Sequence, residues 1–330
     1  MGLNIRNKAS LEHDLVIIYD DLYTHMSYIT GLGAQATKDK INAMINLGKG
    51  IVSTCITEKK AKELHLPLMY QESSSSVISN AAVSIDYKDT STGISASERS
   101  QTIKSLHASS NPEDFKKPGH VFPLISCEKN LPDRPGIAET SIELFKPFIE
   151  NPVTYVCEIL NEHGHVSSIH EVQKTASQNH MKIFKMSQIV TSYLKRKKWL
   201  DVVDTNQVYV GDTPLTIFNV KNHLYPSQFI VYINADHADH AILNNVTFHD
   251  ECMCGDVIEL HHQCWCPKHL REYMLDMLKG ELDGIVYQRY NNDELSSISS
   301  LYKAIIGEQI KELVKEELNN TTMNRTSLSV

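Results

Sequence analysis

Short runs of apolar residues alternate with amphipathic stretches along the first 200 residues of the chain. The apolar runs have the length and the β-branched content of buried strands. Residues 38–47 and 137–147 instead have the spacing of amphipathic helices. This alternation predicts an α+β or mixed α/β layered fold, and it argues against a helical bundle or an all-β barrel. The strand-like runs are LVIIYD (15–20), GIVSTCIT (50–57), AAVSID (81–86) and VTYVCEIL (153–160).

Two stretches rich in Ser, Asn and Pro predict loops, at residues 72–80 and 107–118. After the basic run KRKK at 195–198, strand patterning restarts, which predicts a domain boundary near residue 200. The two predicted domains are therefore residues 1–200 and 201–330.

A long helix is predicted near the end of the second domain. Its apolar face is expected to pack on its own domain or on a second subunit and not on a membrane, because its polar face carries as much acid as base. The last ten residues, TTMNRTSLSV, are expected to be disordered. The apolar face consists of Ile306, Ile310, Leu313, Val314 and Leu318.

Composition is that of a soluble globular protein, with 41% hydrophobic and 22% charged residues among 330. A formal net charge of −8 argues against a broad nucleic-acid-binding surface, so nucleic acid is not an expected partner. The KRKK run then reads as a solvated helix end or linker. No stretch has the apolar length of a membrane span or a signal peptide, so we expect a cytoplasmic protein with no membrane contact.

Four of the seven cysteines lie within residues 252–266. An odd number clustered in this way favours buried thiols and a metal site over a disulfide framework. Cys252, Cys264 and Cys266 have a spacing that suits three thiolate ligands of a Zn²⁺ ion, in a structural site or in one with an open position. The alternative is a set of reduced thiols without metal.

In the first domain, small and polar residues surround Gly93. Thr92, Ser95, Arg99 and Thr102 supply hydroxyls and one guanidinium, a combination that suits a phosphate group. The alternative is an N-capped helix start with a surface arginine. Downstream, PGHVFPL at 118–124 places His120 on a short backbone segment that two prolines and a glycine restrict.

Read together, four stretches resemble 3,4-dihydroxy-2-butanone 4-phosphate synthase, a riboflavin-pathway enzyme that acts on ribulose 5-phosphate. The resemblance covers roughly residues 12–195. It implies a sugar-phosphate site, a glutamate that handles protons while the sugar enolises, rearranges and expels formate, and a homodimer that shares its active sites across a two-fold interface. The stretches are TGISASERSQTI, PGHVFPL, GIVSTCITEKKAKELHLPLM and VCEILNEHG.

Motif and resemblance together give the candidate site residues of the first domain. The expected catalytic residues are Glu158, His120, Cys55 and Asp21. The expected substrate-binding residues are Thr92, Ser95, Arg99, Thr102, Arg134 and Asp20.

The chain departs from the family where the resemblance implies magnesium ligands. In the family's acidic loop an arginine and two glutamates stand where this chain has Thr24, His25 and Ser27, and a family histidine is replaced by Ile137. Because a hard cation prefers oxygen ligands and isoleucine supplies none, Mg²⁺ is not expected as a cofactor.

Residues 248–270 resemble the zinc motif of GTP cyclohydrolase II, with Cys252, Cys264 and Cys266 at the ligand positions. The fusion of these two domains in this order is that of the bifunctional riboflavin enzyme. After GIVYQR at 284–289, however, YNNDELSSI replaces the family's nucleotide-handling loop, and the domain is shortened. Cyclohydrolase activity is therefore not expected. Structural support, subunit contact or binding of another small molecule remain.

Two hypotheses follow for the whole chain. One is a diverged lyase or isomerase acting on a sugar phosphate such as ribulose 5-phosphate. The other is a pseudoenzyme that binds a metabolite or a partner without turnover. The retained phosphate and proton-handling motifs favour the first hypothesis, and the loss of the magnesium positions favours the second. Ordinary riboflavin synthesis ranks third.

Overall fold

A computed structural model describes residues 14–69, 80–127, 131, 135–224, 228–234, 245–252, 256, 265–289 and 299–327. The chain divides into two compact units, Met1–Leu194 and Lys195–Val330. Each unit combines a β-sheet with helices, so the predicted mixed α/β architecture is confirmed.

The first unit is built on a seven-stranded mixed sheet with the order β4-β5-β3-β6-β2-β1-β7. The pairs β1–β7 and β3–β5 are parallel, and the other neighbours are antiparallel. Its strands are β1 (Val16–Tyr19), β2 (Ser27–Leu32), β3 (Lys49–Thr57), β4 (Ile85–Tyr87), β5 (Phe115–Ser126), β6 (Thr154–Ile159) and β7 (Ile183–Lys185).

Helices cover both faces of this sheet. One face packs against α1, α2, α3 and α5 around residues such as Ile29 and Val52. The other packs against α4 and α6 around residues such as Ile18 and Val156. The helices are α1 (Lys38–Gly48), α2 (Glu58–Glu63), α3 (Ala96–Ala108), α4 (Ile137–Phe145), α5 (Ile169–Gln178) and α6 (Met186–Lys195), with 3-10 turns at Gly33–Gln35 and Pro112–Asp114.

The strand and helix predictions for this unit are confirmed within a few residues, but the loop predicted at 107–118 is too long. Helix α3 continues to Ala108, and β5 already begins at Phe115. Pairing of Lys116 with Asp86 on β4 makes the chain extended there despite its Pro and Gly content. The other predicted loop lies outside the described residues, except for Asn80.

The second unit contains a five-stranded sheet with the order β11-β12-β10-β9-β8. Helix α7 packs on it through Met277, which contacts a cluster with Leu215 and Ile285. The elements are β8 (Leu200–Val210), β9 (Thr213–Asn222), β10 (Gln228–Asn234), β11 (Val246–Asp250), α7 (Cys266–Leu278), β12 (Gly284–Arg289) and α8 (Ser299–Ser327).

The predicted long helix is α8. Its five apolar-face residues are each no more than 5% exposed, which confirms that this face packs within its own unit. The expectation of a disordered tail is wrong for residues 321–327, where the helix continues. In the described part of the chain, no helix combines the length and the apolar character needed to cross a bilayer.

Candidate active site

One edge of the seven-stranded sheet brings together two of the predicted catalytic residues. Strand β3 runs between β5 and β6, with Ser53 opposite Phe122 and Val52 opposite Cys157. His120 and Glu158 therefore flank the start of β3 from its two sides. Since neighbouring strands lie about 4.8 Å apart, the two backbones are separated by roughly 10 Å. Both side chains project from the face of the sheet that also carries Cys55, because Leu124 and Thr154 are the strand partners of Cys55.

His120 is held by the carboxylate of Asp86, at the middle of β4. The His120 main-chain N–H donates to Asp86 Oδ1 at 2.9 Å, and the ring Nδ1 lies 2.8 Å from Asp86 Oδ2. Because a carboxylate only accepts hydrogen bonds, Nδ1 carries the proton and donates it. The Asp86 side chain is 8% exposed and that of His120 is 44% exposed. The imidazole is thus anchored through Nδ1, while Nε2 remains for chemistry.

Two glycines allow this arrangement. At Gly119 a Cβ would meet the Ile85 carbonyl carbon at 2.1 Å, so only glycine lets β5 approach β4 this closely. At Gly93 a Cβ would lie 2.0 Å from Asp86 Oδ2, and φ is +78°. The turn before α3 therefore packs directly against the Asp86 carboxylate.

This turn is organised around Glu98, in the first turn of α3. The Glu98 carboxylate accepts from the Ser91 main-chain N–H and from the hydroxyls of Ser91, Thr92 and Ser95 at 2.6–3.2 Å. These bonds, those from Ser91 foremost, lower the pKa of Glu98 to about 2. Ser95 is the N-cap of α3 and accepts from the Glu98 N–H. The capped-helix alternative for this stretch is therefore present, and two of the predicted phosphate-binding hydroxyls, those of Thr92 and Ser95, already have an acceptor.

Arg99 follows Glu98 on α3 and is half-buried. Its Nε is buried and meets no hydrogen-bond acceptor among the described residues. Burial lowers the pKa of Arg99, and its guanidinium acts electrostatically on the Cys157 thiol of β6. Cys157 projects from the face of β6 opposite to that of Glu158, so this guanidinium lies on the side of the sheet that α3 covers.

On the opposite side of Glu158 lies Tyr28 of β2, its direct antiparallel partner. Partners in an antiparallel pair project from the same face of the sheet, with Cβ atoms about 5 Å apart. Burial, followed by the charges of Glu158, Asp20 and Cys55, raises the pKa of Tyr28 to about 12. These four side chains thus form one electrostatic cluster.

The two aspartates of the predicted site have structural contacts. Asp20 accepts four hydrogen bonds from the turn that follows β1, given by the N–H groups of Leu22, Tyr23 and Thr24 and by the Thr24 hydroxyl. Burial by itself would raise the pKa of Asp20, but these bonds outweigh it and lower the pKa. Asp21 accepts from the N–H and the hydroxyl of Ser187 at 3.0 and 2.6 Å, at the start of α6.

Cys55 and Thr102 are both fully buried. Burial raises the pKa of the Cys55 thiol to about 12, although Ser141 and Thr154 hydrogen bond with it. The Thr102 hydroxyl accepts from the Tyr87 N–H at 3.0 Å and ties α3 to β4. Neither side chain reaches solvent here, so a catalytic Cys55 and a substrate-binding Thr102 remain sequence-based predictions without a geometric counterpart.

Some predicted residues fall elsewhere. Arg134 and Cys264 lie outside the described residues. Cys252 and Cys266 are described and half-buried, in the second unit. Within the described ranges no group of three His, Cys, Asp or Glu side chains is placed to hold a metal ion. The predicted zinc site therefore stays a prediction.

Comparison with known proteins agrees with the geometry of the first unit. The family model for 3,4-dihydroxy-2-butanone 4-phosphate synthase matches residues 8–192. The chain belongs to this family. The matched range includes His120 and Glu158 together with the strands that carry them.

Curated relatives match different lengths of this chain. The 3,4-dihydroxy-2-butanone 4-phosphate synthase of Wolinella succinogenes is 35% identical over 176 residues, which is 53% of this chain and 51% of that protein. The riboflavin biosynthesis protein RibBA of Bacillus subtilis is 28% identical over 302 residues, covering 89% of this chain and 74% of that protein. The chain is thus homologous to proteins of riboflavin biosynthesis.

A solved structure matches across both units. RibBX from A. baumannii, described as a two-domain 3,4-dihydroxy-2-butanone 4-phosphate synthase, superposes with a TM-score of 0.71 and 19% identity, covering 92% of this chain and 87% of that one. At this identity the likeness establishes the fold alone.

Sequence reasoning missed three residues that shape the site: Asp86, Glu98 and Tyr28. Asp86 is the last residue of the apolar run AAVSID, and a carboxylate at the end of a predicted strand could have been recognised as a candidate site residue. The spacing of Ser95 and Glu98 is that of a capping box, which also was readable. The pairing of Tyr28 with Glu158 joins residues 130 positions apart and had no sequence signal.

Proposed function

We propose that the first unit binds a sugar phosphate such as ribulose 5-phosphate and performs lyase- or isomerase-type proton transfer on it. The Asp86–His120 pair, at the same sheet edge as Glu158, is the observation that carries this proposal. It supplies an oriented imidazole and a carboxylate on one face of the sheet, on the two strands that flank β3. Homology to 3,4-dihydroxy-2-butanone 4-phosphate synthase supports the choice of substrate class.

The phosphate is assigned to the start of α3. The hydroxyls of Thr92 and Ser95 donate to Glu98, so the remaining donors are the main-chain amides of Ala96 and Ser97 and the guanidinium of Arg99. First-turn amides and the helix dipole favour an anion at this end of a helix. Arg99 adds a full positive charge whose Nε has no acceptor among the described residues.

The chemistry begins with a carbon-bound proton next to the sugar's carbonyl group. Glu158 accepts this proton, the C–H electron pair forms a C=C bond, and the π pair of the carbonyl moves onto its oxygen to give an enediolate. His120, whose Nδ1–H is held by Asp86, uses Nε2 to move a proton between the two oxygens. Return of the carbon-bound proton from Glu158 to the neighbouring carbon gives an isomer and needs no co-reactant.

Magnesium, which the family resemblance implies, does not fit the residues present. Ser27 is 1% exposed, and Ile137 packs into two apolar clusters, so neither presents an oxygen ligand to solvent. His25 has a φ of +57°, and its Nδ1 lies 3.4 Å from the Tyr19 hydroxyl. One imidazole and an isoleucine are a poor donor set for a hard cation, because neither supplies an oxygen ligand. No step is therefore assigned to a metal.

The poor donor set for magnesium favours a second candidate function, that of a pseudoenzyme that binds the sugar phosphate without turnover. Stabilisation of the developing negative charge is usually the largest catalytic contribution, and the family's route to it through a cation is missing here. Binding alone requires only the phosphate contacts and the His120 side chain.

One NMR experiment separates the two candidates. Ribulose 5-phosphate is incubated with the protein in D₂O, and the C–H resonances and formate are followed. Loss of a C–H signal by deuterium exchange without formate is the expected result. Binding without exchange would favour the pseudoenzyme, and formate would show that the complete family reaction survives. Glu158→Gln is the control variant, which should bind the sugar phosphate but not exchange its proton.

For the whole chain, the proposal includes a homodimer and a zinc ion on Cys252, Cys264 and Cys266. Thiolates at this spacing suit tetrahedral zinc, and the half-buried Cys252 and Cys266 are compatible with it. Without the nucleotide-handling residues, the second unit is assigned a supporting or binding role and no cyclohydrolase activity.

A further inference from the structure

Tyr28 occupies a position that the proposed chemistry has not yet used. It lies on β2 directly opposite Glu158 on β6, and the antiparallel register places both side chains on one face of the sheet. This is the face that carries Cys55 on β3, because Cys55 pairs with Thr154 and Glu158 is four residues further along the same strand. The phenol is therefore a neighbour of the proton-accepting carboxylate.

The Tyr28 hydroxyl donates only a weak hydrogen bond to the described part of the chain. Among the described residues, the Tyr28 hydroxyl hydrogen bonds to the Met26 thioether sulfur at 3.3 Å, and a thioether is a weak acceptor. Glu158 belongs to the adjacent strand, so a ligand that reaches this carboxylate also reaches the hydroxyl. A carbonyl or enediolate oxygen is a much stronger acceptor than the sulfur and would take over the hydrogen bond.

The electrostatic surroundings keep the phenol protonated. Burial, with the nearby charges of Glu158, Asp20 and Cys55, raises its pKa to about 12. At neutral pH the group is therefore a hydrogen-bond donor and not a base. A neutral donor next to a carboxylate base is the arrangement that enolisation requires, since the base removes a proton while the donor meets the charge that develops on oxygen.

We propose that Tyr28 is a catalytic residue of the first unit, donating its hydroxyl hydrogen bond to the carbonyl oxygen of the sugar phosphate while Glu158 removes the neighbouring proton. In this step the C–H bond breaks and its proton passes to Glu158. The C–H electron pair forms the new C=C bond, and the π pair of the carbonyl moves onto the oxygen that Tyr28 contacts. Tyr28 keeps its own proton throughout. This inference rests on the proposed function and supplies the charge stabilisation that a metal ion would otherwise give.

The test compares Tyr28→Phe with Tyr23→Phe in the full chain. Tyr23 lies on the turn just before β2 and is 38% exposed, so it controls for loss of a nearby phenol. Removal of one such donor is expected to slow deuterium exchange of ribulose 5-phosphate about 10²-fold. Its dissociation constant, measured by calorimetry, should change little, and Tyr23→Phe should behave as wild type in both assays.

A second variant separates donation from packing. Tyr28→His keeps a ring and an N–H donor and is expected to recover part of the exchange that Tyr28→Phe loses. Exchange at the wild-type rate in Tyr28→Phe would overturn the proposal. Equal loss of exchange in Tyr28→Phe and Tyr28→His would also overturn it. If the wild-type chain binds ribulose 5-phosphate but does not exchange its proton, the proposed turnover fails and this inference falls with it. If the wild-type chain exchanges the proton but the Tyr28 variants do not change the rate as expected, only the role of Tyr28 is refuted and the proposed function stands.

Discussion

A single carboxylate, that of Asp86, fixes both the main chain and the ring of His120. This double contact decides which imidazole nitrogen is available, because the carboxylate accepts the proton on Nδ1 and leaves Nε2 facing outward. Asp86 also limits its neighbours, since only glycine fits at position 93 against it. The identity of this residue therefore governs the chemistry of another one 34 positions away.

Replacing Asp86 by Asn should uncouple the ring from this anchor. An amide side chain can turn its NH₂ group toward Nδ1 and stabilise the wrong tautomer, so exchange of the substrate proton should slow about 10²-fold. Long-range ¹H–¹⁵N NMR of the wild type should show the proton of neutral His120 on Nδ1, and the Asn variant should lose this preference. Asp89→Asn, an exposed neighbour, is the control. An unchanged tautomer together with an unchanged rate would contradict this role.

At the scale of elements, the start of α3 depends on one hydrogen-bonded loop. Ser95 caps the helix, and Glu98 returns the contact by accepting from Ser91, Thr92 and Ser95. The loop positions Gly93 against Asp86, so the helix cap and the residue that orients the His120 imidazole are in direct contact. The hydroxyls of this loop therefore shape the site through Glu98.

The Glu98 contacts predict a pH-dependent stability. Its folded-state pKa of about 2 lies below the unfolded value of 4.5, so the stabilisation is complete above the unfolded value and is lost as the pH falls toward 2. Urea unfolding of Glu98→Gln should therefore differ from wild type above pH 5 and converge with it at lower pH. Glu150→Gln, at an exposed site, is the matched control. A difference that does not depend on pH would refute this account.

At the scale of the whole molecule, we expect this chain to act without magnesium although it belongs to the 3,4-dihydroxy-2-butanone 4-phosphate synthase family. The resemblance implies metal ligands at the positions of His25 and Ile137, and we propose that these two residues do not bind the cation. Ser27 and Ile137 instead contribute to the packing of the first unit. Under the proposed function, charge stabilisation comes from protein groups such as Tyr28 and His120.

Treatment with EDTA should accordingly leave deuterium exchange and sugar-phosphate binding unchanged, and added Mg²⁺ should not raise either. The reason is the lack of oxygen ligands at His25 and Ile137. The double variant His25→Glu, Ile137→His restores donors at both positions and should acquire measurable Mg²⁺ binding by calorimetry. Stimulation of the unmodified chain by Mg²⁺ would contradict the expectation.

The sequence by itself determined the mixed α/β class, four of the seven strands of the first unit, the long final helix and the family. These features depend on local periodicity and on contiguous motifs such as PGHVFPL, which need no knowledge of the neighbouring strands. The same motifs gave His120 and Glu158 as candidate site residues, which stays a prediction. Their environment was beyond reach, because it is built by pairing between distant segments.

Tertiary structure alone decided which side chains meet at the sheet edge. The register of β2 with β6 placed Tyr28 beside Glu158, and the close approach of β4 to β5 placed Asp86 against His120. Burial removed Cys55 and Thr102 from solvent for the same reason. A one-residue change of register would send each of these side chains to the opposite face, and no local pattern specifies the pairing. The motifs thus specify the chemical groups, and strand pairing specifies which of them act together.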